Sequence, residues 1–106
     1  MSTLTDQEFR VKSDEALEGA RKALLPLADD NEFEVEFQNG VLHVVFEEPR
    51  ESKFVVSPQA PVRQIWVSAM SRSFKLTWDA DRQLFALNGE SLPDLLTRLS
   101  NDFLVS

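Results

Sequence analysis

The residues best suited to chemistry in this chain are carboxylates. Asp14 and Glu18 lie one helical turn apart, so a helix carrying them presents both on one flank. Glu32, Glu34 and Glu36 alternate with Phe33, Val35 and Phe37, and a strand of that pattern sets the acids about 7 Å apart on one face, with the apolar residues on the other. If that strand lies beside the helix, the two sets meet along an edge. Oxygen ligands without imidazole or thiolate suit iron, manganese, calcium or magnesium, held weakly and with water retained. The same spacing also serves a solvated face. Glu18 can pair with Arg21 or Lys22, and acids on an edge strand discourage edge-to-edge aggregation. Spacing alone leaves both readings open.

Other chemistries find little support. The chain has no cysteine, so it cannot by itself build a disulfide, a thiolate metal site, a persulfide or an iron–sulfur cluster. Its single histidine, His43, alternates with Leu42 and Val44 and is expected on an outer sheet face. There is no Gly-rich phosphate loop, nucleophile elbow or His-rich metal motif. Counting acids leaves a two-carboxylate glycosidase open, but a domain this small offers little room for a deep cleft. A different kind of site is suggested by Gln64-Ile65-Trp66-Val67. If Ile65 and Val67 face the core, Gln64 and Trp66 face outward and the indole can anchor a partner; the reversed strand buries Trp66 instead.

Charge sharpens the choice of ligand. Of a net −7, residues 1–36 contribute −6, with ten acids against four bases, while the remaining 70 residues hold eight acids and seven bases. Such a field disfavours nucleic-acid phosphate and favours cations or a basic protein surface, although solubility alone also accounts for an acidic total. No apolar run approaches the roughly 20 residues of a membrane helix, and the N-terminus lacks the pattern of a signal peptide. The expected setting is the cytoplasm, or a mitochondrial matrix only if a transit peptide has been removed.

The elements that position these residues follow from capping and period. At 106 residues and 42% hydrophobic, the chain suits one compact domain over residues 1–106. Thr5-Asp6-Gln7-Glu8 forms a capping box, and Phe9, Ala16, Leu17, Ala20, Leu24 and Leu27 make an apolar stripe. Pro26 predicts an end near Leu25, with Asp29-Asp30-Asn31 as loop. Alternation then predicts strands over Glu32–Phe37, Val41–Glu47, Lys53–Ser57, Val62–Ser68, Ser73–Trp78 and Gln83–Asn88, the first two joined by an Asn39-Gly40 hairpin and Pro58–Pro61 forming a break. Ser91 caps a final helix with Pro93 in its first turn and Leu92, Leu95, Leu96, Leu99 and Phe103 as its stripe. The predicted fold is α+β: a two-layer α-β sandwich with the N- and C-terminal helices packed on one face of an antiparallel sheet of about six strands.

Specific strings then suggest a family. Asn39-Gly40-Val41-Leu42, Gln59-Ala60-Pro61-Val62-Arg63-Gln64-Ile65-Trp66, Phe74-Lys75-Leu76-Thr77-Trp78 and Asn88-Gly89-Glu90-Ser91-Leu92-Pro93-Asp94-Leu95-Leu96 resemble frataxins, in that order and from Glu8 to about Phe103. The start without a long leader is similar to the bacterial, CyaY-type branch. The resemblance implies a binding and regulatory protein rather than an enzyme. It would bind Fe(II) and Fe(III) weakly on an acidic ridge, here Asp14, Glu15, Glu18, Asp29, Glu32, Glu34 and Glu36, with other divalent cations accepted in vitro. It also implies docking on a cysteine desulfurase and iron–sulfur scaffold complex, with outward Gln59, Gln64, Trp66 and Lys75 contacting the scaffold side. The expected state is a monomer without iron and an oligomer under iron load. Ferroxidase or iron-storage activity on the same ridge is the alternative, and a dimeric acidic secretion chaperone is the alternative of another class. The sequence departs from the family pattern at Arg21, Lys22, Leu25 and Pro26, where ridge acids are usual, at Ser57-Pro58, and in lacking a glycine after the Trp66 strand.

Overall fold

The computed structural model describes residues 4–105, so residues 1–3 and 106 of the expected domain lie outside the described residues. The elements run α1 (Asp6–Asn31), β1 (Glu34–Gln38), β2 (Val41–Phe46), β3 (Ser52–Gln59), a single 3₁₀ turn (Ala60–Val62), β4 (Gln64–Ala69), β5 (Arg72–Asp79), β6 (Leu84–Leu87), β7 (Glu90–Ser91) and α2 (Leu92–Leu104). The strands form one antiparallel meander in chain order, β1 at one edge and the two-residue β7 at the other. Both helices cover the same sheet face and pack against each other, as the apolar stripes require.

Local signals act as expected at several points. The Thr5 hydroxyl accepts from the Glu8 amide at 3.1 Å while Glu8 accepts from the Thr5 amide at 3.0 Å, closing the capping box. Ser91 caps α2 through the Asp94 amide at 3.4 Å. Asn39 and Gly40 both take positive φ, 54° and 76°, the twist a two-residue hairpin needs. Leu92, Leu95, Leu96, Leu99 and Phe103 are all buried, and Phe103 packs on Phe46 at 4.5 Å between ring centroids.

The first helix does not end at Leu25. It runs through Pro26 to Asn31, so Asp29, Asp30 and Asn31 form its last turn rather than a loop. An interior proline costs about 3 kcal/mol. Burial of Leu24 and Ala28, with Leu27 half-buried beside them, offsets that cost, since a fully buried leucine contributes about 1.5–3 kcal/mol. Lys22 and Pro26 both lie on the exposed side, so the Lys22 carbonyl freed by the missing amide hydrogen can bond to water. As a result Glu32 is not a strand residue; it is the left-handed cap of α1, with φ 58°.

The remaining differences are smaller. Pro58 belongs to β3 instead of a break, and Val62 and Arg63 belong to the 3₁₀ turn and its cap rather than to β4. Among the described residues the sheet has seven strands, not six, because Glu90 and Ser91 add a short pairing to β6.

Candidate functional site

The extended α1 and the edge strand β1 carry the acids in two rows. Asp14 and Glu15 are exposed and Glu18 half-exposed on the N-terminal half of α1; Asp29 is exposed in its last turn. Glu32 follows as the cap, and Glu34 and Glu36 are exposed on β1. Phe33 is buried while Val35 and Phe37 are half-buried against the core, so the alternation read from sequence holds from Phe33 to Phe37. Helix α1 packs beside β1, and the chain reverses at Glu32, so the two rows run antiparallel along one border.

The helical row is partly neutralised. Arg21 donates to Glu18 through Nη2 at 2.6 Å and through Nε at 3.2 Å. This fork holds the Glu18 carboxyl below the usual carboxylate range and raises the guanidinium of Arg21. Lys12 stands 3.6 Å from Glu15. No ion pair holds Asp14, Asp29, Glu32, Glu34 or Glu36 among the described residues. Nor does any group of three or more His, Cys, Asp and Glu among them stand close enough to hold one metal ion. The acids make a negatively charged border, not a chelating cage.

Two features of this border were not foreseen from the sequence. Asp14, Glu15 and Glu18 line an open groove of about 1000 Å³ together with Phe9, Phe37, Gly40 and the bases Arg10 and Lys22. On the other sheet face, Glu36 stands directly across from His43, which puts an imidazole beside the strand acids. The second was legible: a two-residue Asn39-Gly40 turn fixes Gln38 opposite Val41 and therefore Glu36 opposite His43.

The outward reading of the Trp66 strand is the one the structure adopts. Ile65 and Val67 are fully buried and Trp66 is 36% exposed on the uncovered face. Its indole Nε1 donates to Gln64 Oε1 at 2.8 Å, and the Lys75 ammonium lies 4.9 Å from the ring centroid, directly across the β4–β5 pair. Gln59 is the cross-strand partner of Gln64 and donates to Ser57 Oγ at 3.1 Å. Gln59, Gln64, Trp66 and Lys75 are thus one patch.

Arg63 ties this patch to the start of α1. In left-handed conformation after the 3₁₀ turn, it donates to the Leu4 carbonyl at 3.0 Å and to the Ala60 carbonyl, and pairs with Asp6 at 2.5 Å. A contact spanning 59 residues carries no local sequence signal.

Comparison with known proteins agrees with this architecture. A family model described as a frataxin-like domain matches residues 2–104. The chain is similar to the iron–sulfur cluster assembly protein CyaY of Stutzerimonas stutzeri, 32% identical over 81% of this chain and 80% of that one. It is also similar to CyaY of Azotobacter vinelandii, 30% identical over 92% and 87%. Among solved structures, a frataxin from Psychromonas ingrahamii shares the fold with a TM-score of 0.61, covering 94% of this chain and 89% of that one at 16% identity. The match over nearly all the chain, on an α-β sandwich with an acidic helix beside an edge strand, means that the chain belongs to the frataxin-like family, in its bacterial CyaY-type branch.

Proposed function

We propose that this chain presents iron, as cargo, on the α1–β1 border and acts in bacterial, cytoplasmic iron–sulfur cluster assembly by docking on a cysteine desulfurase and its scaffold. One observation carries the reading: unpaired, exposed carboxylates on a helix and on the edge strand beside it form a single negative border. Relatives in Stutzerimonas stutzeri and Azotobacter vinelandii, both iron–sulfur cluster assembly proteins by name, support the setting.

The chemistry of the border fits delivery better than storage. Fe(II) accepts carboxylate and water oxygens, and exposed acids that do not converge hold it through a partly retained hydration shell. Such an ion leaves readily for a thiolate-rich acceptor. With no cysteine, this chain supplies iron and position and leaves sulfur chemistry to its partners.

Docking uses charge for approach and the Trp66 patch for hold. Long-range attraction between the border and a basic groove raises the encounter rate and weakens as salt shortens the Debye length to about 10 Å at 0.1 M. Trp66, kept upright by Gln64 and Lys75, is the kind of half-exposed aromatic anchor that dominates an interface. Trp66→Ala is expected to weaken complex formation at least about tenfold with unchanged thermal stability. An unchanged affinity would remove the patch from the interface.

Two-dimensional NMR with anaerobic Fe(II) tests the iron reading. Broadening confined to residues 14–36, with His43 included, supports it. Broadening spread over the whole chain, or none, refutes it.

A further inference from the structure

A second polar site lies away from the acidic border. A cleft of about 480 Å³ opens at one end of the sheet, between the β2–β3 connection, the β4–β5 turn and the end of α2. Among the described residues its lining includes three bases, Arg50, Lys53 and Arg72, and four serines, Ser52, Ser68, Ser71 and Ser73, but no Asp or Glu. In a chain with 18 acids against 11 bases, that composition is the reverse of the surface as a whole. Glu47, Glu48 and Glu51 belong to the same connection as Arg50, yet none of them lines the cleft.

The two guanidinium groups are held in place by aromatic rings. Arg50 lies 4.6 Å over the Phe103 ring and Arg72 lies 5.0 Å over Phe74. For Arg72, stacking of this kind fixes the plane of the donor fork and lowers the entropy lost when it grips an oxyanion. Lys53 is exposed on β3 and makes no ion pair with a described acid. The serine hydroxyls add neutral donors of a length suited to tetrahedral or carboxylate oxygens. The volume falls within the range of about 300–1000 Å³ common to small-ligand sites.

We propose that this cleft binds a small multivalent oxyanion, of the phosphate or polycarboxylate class, with Arg72 and Lys53 as its principal charged contacts. The site is separate from the iron border: none of its lining residues belongs to α1 or β1. It gives an acidic protein one place at which anionic metabolites or metal-carrying anions are retained rather than repelled.

The test is a 15N–1H NMR titration of the full chain with sodium phosphate and, separately, with citrate, each against sodium chloride at matched ionic strength. Saturable shifts at residues 52, 53 and 68–73 with either anion are expected. The anion that saturates at lower concentration decides between compact phosphate and extended polycarboxylate chemistry. Lys53→Gln and Arg72→Gln are each expected to weaken saturation about tenfold, the scale of one charge-assisted hydrogen bond. Lys22→Gln, on α1, is expected to leave it unchanged. Arg72→Gln also uncovers Phe74, so Lys53→Gln, which removes an exposed ammonium, keeps the test independent of folding. No saturable shift with either anion overturns the proposal. So do shifts that Lys53→Gln leaves intact, or that Lys22→Gln reduces equally.

Discussion

Removing the cations that shade the helical acids offers the sharpest test of the border. In the double variant Lys12→Gln/Arg21→Gln, Glu15 and Glu18 lose their 3.6 Å and 2.6 Å partners, and a chain of net charge −7 loses two positive charges. Consider a divalent cation on the Glu15–Glu18 flank, with a working separation of about 7 Å from each removed charge. Coulomb's law in water changes its binding constant about sevenfold per charge without salt, and about threefold at 0.1 M once screening is included. The pair therefore gives about sevenfold tighter binding at 0.1 M and about twentyfold at 0.01 M. Anaerobic Fe(II) titration of the wild type and the variant at both salt levels, read from broadening at residues 14–18, measures these ratios. Equal affinities, or a gain that does not grow at low salt, would refute a shared electrostatic site. It would mean that the helical acids act only as a solvated face. The pH dependence provides a second check: Arg21 holds the Glu18 carboxyl low, so in the variant Glu18 takes up its proton at higher pH and cation binding at that end fades earlier on acidification.

Other substitutions probe the scaffold. Ser100 is fully buried on α2 and its hydroxyl has no hydrogen-bond partner among the described residues, so Ser100→Ala is expected to stabilise the domain by about 2 kcal/mol, combining a removed desolvation cost with better helix propensity. That corresponds to about 10 °C in Tm by calorimetry; a lower Tm would show the hydroxyl to be satisfied. Glu32→Gly removes the side chain from a left-handed position and is expected to add about 1 kcal/mol in urea denaturation while weakening Fe(II) binding, so a loss of stability would contradict the cap geometry. Glu90 is held low by the Arg98 fork at 2.9 Å. Because its folded pKa is depressed, its contribution is present above the unfolded carboxylate pKa and lost as pH falls through the folded value. Glu90→Gln should therefore flatten the acid limb of stability against pH, and an unchanged limb would exclude that pair as a source of the pH dependence.

Much of the fold was legible because local signals and global packing agree. Thr5 and Ser91 start the helices they cap, Asn39-Gly40 turns the first hairpin, and the stripe from Leu92 to Phe103 is the buried face of α2. The reading failed where tertiary burial outweighed a local rule. Pro26 marks a helix end in isolation, but Leu24, Leu27 and Ala28 must reach the core, and the helix continues for six residues past Leu25. That extension alone moved Glu32 from a strand to a cap. Within the site, the Glu18–Arg21 pair was open from its spacing, and only side-chain placement decides that the fork closes. The Arg63 link to Leu4 and Asp6 and the cleft around Lys53 and Arg72 join residues far apart in sequence, which no window of the chain reveals.

The packing of α2 against the sheet has a consequence for biosynthesis. Each strand neighbours the next in the chain, so the hairpins can close over short loops as they emerge from the ribosome. Phe46 and Phe54 gain their Phe103 cover only from α2, which follows every strand in the chain. Until α2 is released, the nascent sheet presents an oily flank to water, a target for holdases and proteases. A chain cut short before α2 would leave that flank without its cover.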